Sequence, residues 1–286
     1  MAQARNAPRG DRERGLEAVA TFIPVTDPDE PAIADYRAVR ERDLIGRGER
    51  FVAEGEVVLT VLRRQPHFTV ESLLISDKRL PGFDATVWPD TIPIFVAGQA
   101  VMDGIVGFHI HRGLLAIGRR VTTPSVRELI ARLPPAAVVV GLVGIANHDN
   151  MGGIFRNAAA FGADAVLLDR TCCDPLYRKA IRVSVGGSFV VPYARAVDGE
   201  DMLAALDETG FVSLALSPSG TRCLHELRAA RRSAFLFGAE GPGLPDALLA
   251  RTLTVRIAMG GTMDSLNVAT SSGIVLHHYA ASRLDR

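Results

Sequence analysis

Residues 136–169, "AAVVVGLVGIANHDNMGGIFRNAAAFGADAVLLD", contain two short apolar runs separated by a glycine-containing turn and a helix-like segment. Neither run alternates apolar with polar residues, as a strand with one face in water would. Strands that are covered on both faces and separated by helices are typical of a parallel sheet. This stretch therefore predicts an α/β fold built on a parallel sheet.

The same pattern continues towards the C-terminus, where helix-like segments alternate with further apolar runs. We therefore predict that residues 136–286 form one domain with a parallel sheet. The further runs are "SFVVPYA" (188–194), "FVSLALS" (211–217), "SAFLFGAEG" (233–241) and "LTVRIAM" (253–259).

The N-terminal half differs in pattern. Residues 1–33 are polar and end near "PVTDPDEP", which predicts a loosely ordered extension. Residues 34–120 are predicted to form a small α/β domain. In it, "RERDLIGRGERFVAEGEVVLTVLRR" (40–64) predicts a helical approach, a glycine turn and an amphipathic helix, and "ESLLIS", "TVWPD" and "IPIFVAG" are strand-like. Residues 121–135, with three prolines around "SVRELIARL", are predicted to be a linker.

The composition indicates a globular protein without a membrane segment. Of 286 residues, 48% are hydrophobic and 22% charged, which is enough to bury a core. The N-terminus has no apolar signal region, and the longest apolar run, 136–143, is too short to span a bilayer. We therefore expect a cytoplasmic protein. The net charge of zero weakens an interpretation as a nucleic-acid binder but does not exclude it, because such binding depends on local basic patches.

The cysteine and histidine patterns do not predict a metal centre. The three cysteines include no CxxC pair, so neither a disulfide framework nor a zinc site is predicted. His109 and His111 form an HxH pair, and His277 and His278 are adjacent, but no cysteine or carboxylate stands at a matching spacing. We therefore expect no metal.

Three glycine-rich turns follow the first, fifth and sixth apolar runs. They are "NHDNMGGIFRNAAAFG" (147–162), "GAEGPGLPDALL" (238–249) and "MGGTMDSLNVATSSG" (259–273). Each polar residue has an ordinary explanation by itself, since Asn, Ser and Glu are common at helix N-termini. Open parallel sheets, however, bind ligands at the carboxyl ends of their strands, and glycine lets backbone approach a ligand. Together the turns predict a ligand site at one edge of the sheet.

Common nucleotide and hydrolase motifs are missing from these turns. The first turn lacks the GxGxxG spacing of dinucleotide binding, and the chain contains neither GxxxxGK[ST] nor GxSxG. Rossmann-type, P-loop and Ser-His-Asp hydrolase sites are therefore disfavoured.

The three turns together resemble the motifs of the SpoU (TrmH) family of RNA 2′-O-ribose methyltransferases, within the SPOUT superfamily. The family's motifs are Asn, Gly and Arg at helical spacing, then G-x-E-x-x-G, then an apolar-Met-Gly segment followed by S-L-N-V. The first motif often has a proline ahead of its Asn, and "NHDN" stands there instead. In motif order, the matching residues are Asn150, Gly152 and Arg156; Gly238, Glu240 and Gly243; and Met259, Gly260, Ser265, Leu266, Asn267 and Val268.

The resemblance implies a SPOUT-type parallel sheet in which the C-terminal segment threads a loop as a deep trefoil knot, an exception to the rule that chains do not knot. The knot would bring the second and third turns together. Upstream, "GRGERFVAEGEVVL" resembles the start of the family's small substrate-binding domain, whose fold is similar to a ribosomal-protein-type RNA binder. The last helix would complete the interface of a homodimer.

The resemblance also implies S-adenosylmethionine as the methyl donor. Asn150 and Arg156 would bind and orient RNA at the reacting ribose, with Arg156 stabilising an alkoxide or a phosphate because a guanidinium stays protonated. Ser265 and Asn267 would complete the site, and Glu240 would hold the arginine or the loops in place. The residues implied to hold the cofactor are Gly238, Glu240, Gly243, Ile257, Met259, Ser265 and Leu266.

The implied function is methylation of a ribose 2′-hydroxyl in tRNA or rRNA. The alternatives are a non-catalytic RNA-binding protein of the same fold, and methylation of another RNA atom or of a non-RNA substrate. The retained Arg156, Glu240, Ser265 and Asn267 favour an active enzyme, and the S-L-N motif favours ribose.

Overall fold

The computed structural model describes residues 21–37, 44, 49–106, 113–228 and 230–284, which form two β-sheets with flanking helices. No helix within these ranges is both long and apolar enough to cross a membrane. The elements up to residue 120 are β1 (Phe22–Val25), β2 (Arg50–Glu54), α1 (Glu56–Arg63), β3 (Phe68–Ser76), β4 (Ile94–Ala97), α2 (Gln99–Val106) and β5 (Leu114–Arg120).

The first sheet is mixed and has the strand order β1-β4-β3-β5-β2. Strand β4 pairs in parallel with β1 and β3, whereas β5 runs antiparallel to β3 and β2. The prediction of a loosely ordered extension up to residue 33 is wrong from residue 22 onwards. Residues 22–25 extend the sheet by pairing with β4, and Ile33 is fully buried in a 3₁₀ helix, Pro31–Tyr36. Distant strand pairing outweighs the local proline and acidic composition.

Two local predictions in this region also change. Residues 50–54, for which we predicted no strand, form β2 because they pair with β5, and the amphipathic helix begins only at Glu56. The "TVWPD" segment (86–90), predicted as strand-like, begins inside a 3₁₀ helix, Ala85–Val87. The Asp84 side chain caps this helix by accepting from Thr86 N. Of the helical approach predicted at 40–48, only residue 44 lies within the described residues.

The second sheet contains only parallel strands, in the order β10-β12-β9-β11-β6-β7-β8. The predicted α/β fold with a parallel sheet is therefore confirmed. Its elements and the helix before it are α3 (Val126–Ala131), β6 (Ala137–Leu142), α4 (His148–Ala160), β7 (Ala165–Leu168), α5 (Arg178–Ser184), α6 (Gly187–Val190), β8 (Tyr193–Arg195), α7 (Gly199–Glu208), β9 (Val212–Leu216), β10 (Arg222–Cys223), β11 (Arg232–Phe237), α8 (Asp246–Ala250), β12 (Leu253–Arg256) and α9 (Val268–Leu284).

Each predicted apolar run contributes a strand to this sheet, with one change. The "SFVVPYA" run divides into the short helix α6 and the strand β8. Phe189 of α6 packs with its ring centroid 5.2 Å from both Phe51 and Phe68 of the first sheet. Packing against a second sheet thus decides the conformation of this segment, and the sequence pattern alone does not contain that information.

One continuous core cluster joins the two sheets, and we call the boundary between them the seam. Besides the phenylalanine rings, two buried ion pairs cross it. Arg178 of α5 donates to Glu54 of β2 over 2.9 Å, and Arg120 of β5 lies 3.4 Å from Asp174 in the loop after β7. The seam therefore fixes the first sheet against helix α5 and the loop that precedes it.

Helix α4 is the element that carries the first motif. Asn147 caps it, since its side chain accepts from Asp149 N at 2.8 Å. A Cβ on Gly152 would lie 2.7 Å from the carbonyl oxygen of Ala180, so glycine is needed for α5 to pack this closely on α4. Helix α9 packs on α4 as well, because the Asn157 amide donates to the Ala269 carbonyl and to Ser272.

Candidate functional site

A cleft of about 500 Å³ lies at the carboxyl edge of the second sheet, and we call it the carboxyl-edge cleft. It is enclosed by the turns that follow β9, β11 and β12, the edge at which parallel sheets bind ligands. Its volume is within the roughly 300–1000 Å³ typical of small-molecule sites. All seven residues predicted to hold the cofactor line it: Gly238, Glu240, Gly243, Ile257, Met259, Ser265 and Leu266.

The turn after β11 folds back on itself and forms one wall. Gly243 N donates to the Ala239 carbonyl at 3.0 Å, which closes the turn. A Cβ on Gly238 would lie 2.2 Å from the carbonyl carbon of Gly243, so a side chain at 238 cannot be accommodated without moving the backbone. The G-x-E-x-x-G spacing is thus the geometric requirement of this closed turn.

A single amide, that of Asn267, joins all three turns. Its Nδ2 donates to Asn150 Oδ1 at 2.8 Å and to Glu240 Oε1 at 3.0 Å. Its Oδ1 accepts from the backbone N–H groups of Ala269 and Thr270 and so caps α9. The side chain therefore fixes the first motif, the second motif and the start of the last helix relative to one another.

The structure shows the surroundings of two further site residues. Asn150 is only 6% exposed, and its side-chain oxygen accepts from Asn267. Glu240 is exposed and accepts from Asn267. Among the described residues, no hydrogen bond or ion pair joins Glu240 to Arg156, and the bond of Glu240 runs to the third turn.

Arg156 lies apart from this network. It is on the exposed side of α4 and does not line the carboxyl-edge cleft, and its guanidinium forms no hydrogen bond or ion pair within the described part of the chain. The Ser265 hydroxyl lines the cleft, is exposed and donates to Asp264 Oδ1 at 3.1 Å. The structure thus brings together Asn150, Glu240 and Asn267, with Ser265 beside them, and leaves Arg156 free to meet a partner from outside.

Sequence reasoning missed the wall that follows β9. Leu216, Ser217 and Pro218 line the cleft together with Met263 from the turn after β12. A signal was available, because "LSPSG" follows an apolar strand and belongs to the same sheet edge as the recognised turns. It was overlooked because none of its residues matched a motif.

The cleft contains no arrangement suited to a metal. In the ranges the structure describes, no group of three or more His, Cys, Asp or Glu side chains could hold an ion. His109 and His111 lie outside the described residues. The two cysteines in the loop after β7 are poor nucleophiles and ligands, since burial raises the pKa of Cys173 to about 11 and that of Cys172 to about 12.

Comparison with known proteins gives consistent matches. The model of the SpoU rRNA methylase family matches residues 137–277. An uncharacterised tRNA/rRNA methyltransferase of Mycobacterium bovis is 41% identical over 90% of this chain and 91% of its own length.

Solved structures show the same fold. An S-adenosylmethionine-bound rRNA methyltransferase from Sinorhizobium meliloti superposes with a TM-score of 0.79 at 23% identity, covering 92% of this chain and 98% of that one. A structure described as an RNA 2′-O ribose methyltransferase superposes with a TM-score of 0.73 at 25% identity, covering 92% of this chain and all of that one. From the family match and the full-length similarity to the mycobacterial relative, this chain belongs to the SpoU family of RNA methylases.

Proposed function

We propose that this chain transfers a methyl group from S-adenosylmethionine to a ribose 2′-hydroxyl of tRNA or rRNA. The observation that carries the proposal is the bonding of Asn267, which joins three separate turns around the carboxyl-edge cleft. The described S-adenosylmethionine complex from S. meliloti and the described 2′-O ribose methyltransferase support the choice of cofactor and of acceptor atom.

The walls of the carboxyl-edge cleft fit the proposed cofactor. Ile257, Met259 and Leu266 provide apolar surface for an adenine ring, and the closed turn at 238–243 presents backbone donors and acceptors at the same wall. The predicted set of Gly238, Glu240, Gly243, Ile257, Met259, Ser265 and Leu266 would hold the cofactor, which supplies an electrophilic sulfonium methyl group.

The protein's own chemical task is then to align and stabilise. Arg156 is exposed and permanently charged, so it suits contact with a phosphate or with the developing alkoxide of the ribose. Ser265 and the Glu240–Asn267 pair lie at the cleft and would orient the ribose by hydrogen bonds, while Asn150 positions Asn267 from behind. Holding the hydroxyl near the methyl group lowers the barrier by proximity and orientation.

We also propose the deep trefoil knot. Its support is the chain path. Strand β12 lies between β10 and β9 in the sheet. After β12 the chain passes to α9, which packs on α4, the helix that connects β6 to β7. An experimental backbone trace through residues 212–268 tests the knot, and an unthreaded path there would contradict it.

We propose a homodimer formed through the outer face of α9. Thr270, Ile274 and His277 recur at helical spacing and are exposed on that face. Light scattering should give a dimer for the native protein, and Ile274→Glu should weaken it. Val197→Glu, at an exposed valine away from α9, is the control and should remain dimeric. A native monomer with full activity would contradict the proposal.

The decisive experiment measures the product. Purified protein, S-adenosylmethionine and RNA from cells lacking this gene should yield one new 2′-O-methylated nucleoside by mass spectrometry, with or without EDTA. A methylated base would indicate another RNA atom. RNA and cofactor binding without turnover would indicate a non-catalytic RNA-binding protein, and binding that requires a divalent ion would contradict the cofactor site.

A further inference from the structure

A second cleft, of about 400 Å³, lies at the opposite edge of the parallel sheet, where β7 and β8 begin. We call it the amino-edge cleft. It is enclosed by three parts of the molecule: the turn between α1 and β3, the α3 segment, and the α6–β8 connection. It shares no residue with the carboxyl-edge cleft, so the methyl-transfer site does not account for it.

The walls of the amino-edge cleft are largely apolar and firmly held. Phe68 lines it and is fixed by ring packing against Phe51 and Phe189. Val190 is 46% exposed at the cleft, and Pro192 is exposed beside it. Exposed apolar side chains beside the Phe68 ring suit the ring of a base, because aromatic side chains provide sequence-tolerant stacking surfaces for bases.

The carboxylates and the deepest cation near the cleft are already engaged. Asp164 accepts from Val138 N at 2.7 Å, and Glu128 accepts from Ser125, one turn before Arg132. The buried Arg120 is paired with Glu49 at 3.1 Å and with Asp174 at 3.4 Å. These groups contribute little free charge to a ligand.

Two donors remain available at the rim. The Arg132 guanidinium and the His67 imidazole are both exposed, and neither side chain forms a hydrogen bond or an ion pair among the residues that the structure describes. A guanidinium binds phosphate through two parallel hydrogen bonds, and an imidazole N–H can add a further donor. The rim therefore favours an anionic group placed next to a ring that occupies the apolar walls.

We propose that the amino-edge cleft is a second binding site, specific for a nucleotide, with the base against Phe68 and Val190 and the phosphate at Arg132 and His67. A cleft of this volume is within the range that small ligands occupy. The nucleotide has two possible sources, a free mononucleotide or one nucleotide of a bound RNA strand, and the same chemistry recognises both. The proposal does not depend on the methyl-transfer function.

The test is titration calorimetry of the full-length protein with AMP, GMP, CMP and UMP. If the ligand is a free nucleotide, at least one of the four should bind saturably, and the corresponding nucleoside and inorganic phosphate should each bind more weakly, because each supplies only half of the contacts. Binding should persist in the presence of saturating S-adenosylmethionine. Displacement by S-adenosylmethionine would place the nucleotide in the carboxyl-edge cleft and overturn the proposal.

Two variants locate the binding. Arg132→Glu reverses the free charge at the rim and should raise the Kd about tenfold or more, and Val190→Trp should do the same by filling the cleft. Arg64→Glu makes the same charge change at an exposed position that does not line the cleft, and its Kd should stay within about twofold of wild type. Circular dichroism checks that each variant is folded. Because Arg132 is exposed, Arg132→Glu tests the site without disturbing the packing of the core.

A short single-stranded RNA distinguishes the two sources. Saturable binding of free nucleotides supports a free ligand. Binding of the RNA alone, weakened by Arg132→Glu and Val190→Trp but not by Arg64→Glu, supports a nucleotide of the substrate strand. If neither ligand binds, or if both cleft variants bind as tightly as wild type, the proposal is wrong, whatever the result of the methyl-transfer assay.

Discussion

The carboxyl-edge cleft and the seam use similar polar groups in opposite ways. In the cleft, Glu240, Ser265 and Asn267 are exposed, and the Asn267 amide donates to Glu240 and to Asn150. In the seam, Glu54 and Arg178 have side chains only 8% and 17% exposed and are bonded to each other. Exposed groups remain available to a ligand, whereas buried charges must be paired to be tolerated. The difference predicts that substitutions in the cleft reduce binding and catalysis, while substitutions in the seam reduce stability.

The largest expected effect is at Gly238. Gly238→Ala should weaken S-adenosylmethionine binding on the order of 1000-fold, about 4 kcal/mol, because the new Cβ would displace the backbone of Gly243. Gly260→Ala is the control, since a Cβ there meets nothing within 4 Å and its φ is not positive. Calorimetry should find Gly260→Ala close to wild type. Equal affinities for both variants would show that the closed turn does not form the cofactor wall.

Arg156 should show a large effect on catalysis with little effect on cofactor binding. Arg156→Ala should slow methyl transfer by roughly 3 to 4 kcal/mol, on the order of 100- to 1000-fold, by analogy with the loss of one donor that stabilises a transition state. Arg156→Lys should restore little, because a point charge does not reproduce the planar fork. Single-turnover methyl transfer with saturating cofactor measures both variants.

If the methyl-transfer rate of Arg156→Ala is within about threefold of the wild-type rate, Arg156 has no role in the reaction. A surface arginine without a functional role predicts a change of about 0.5 kcal/mol or less in stability and none in the rate. Cofactor affinity provides the internal control, since Arg156 does not line the carboxyl-edge cleft.

In the seam, we expect a loss of stability without a loss of site chemistry. Glu54→Ala should lower the free energy of unfolding by about 3 kcal/mol, because it removes one partner of a buried ion pair. Arg178→Ala combined with Glu54→Ala should cost less than the sum of the single changes. Urea unfolding measures the cycle.

The matched pair for this cycle is Arg127 and Glu208, whose side chains are 54% and 55% exposed. Disrupting this exposed pair should cost less than about 1 kcal/mol. If both pairs cost the same, burial is not what separates the seam from the surface of the molecule.

The smallest effect concerns the loop that connects α5 to α6 at the seam. Val185 has φ 53°, the left-handed region that disfavours β-branched residues. Val185→Gly should stabilise the protein by about 1 kcal/mol in thermal unfolding, because released strain exceeds the added freedom of the unfolded chain. Val190→Gly, at a helical position without positive φ, should instead destabilise it. If Val185→Gly and Val190→Gly both destabilise the protein, the backbone at Val185 is not strained.

The local sequence pattern was sufficient to predict strands that have the usual surroundings of a central strand in a parallel sheet. The strands β6, β7 and β11 were predicted from apolar runs because both faces of a central parallel strand are buried. Prediction failed for β1, which is only four residues long and contains a proline ahead of a proline-rich acidic stretch, and for β2, which lies next to glycine turns. They become strands by pairing with β4 and β5, which are far away in the chain.

By itself, the sequence determined the parallel α/β class and the glycine-rich turns, because apolar periodicity and turn composition are properties of neighbouring residues. The resemblance to the SpoU motifs added seven of the residues that line the carboxyl-edge cleft. Only the tertiary structure decided that Asn267 bonds to residues 117 and 27 positions away, that Asn150 is buried and Arg156 exposed, and that a second cleft opens at the amino edge. These features depend on how α9 packs on α4 and on how the two sheets pack against each other. Such contacts join residues that are far apart in the chain, so local sequence patterns do not specify them.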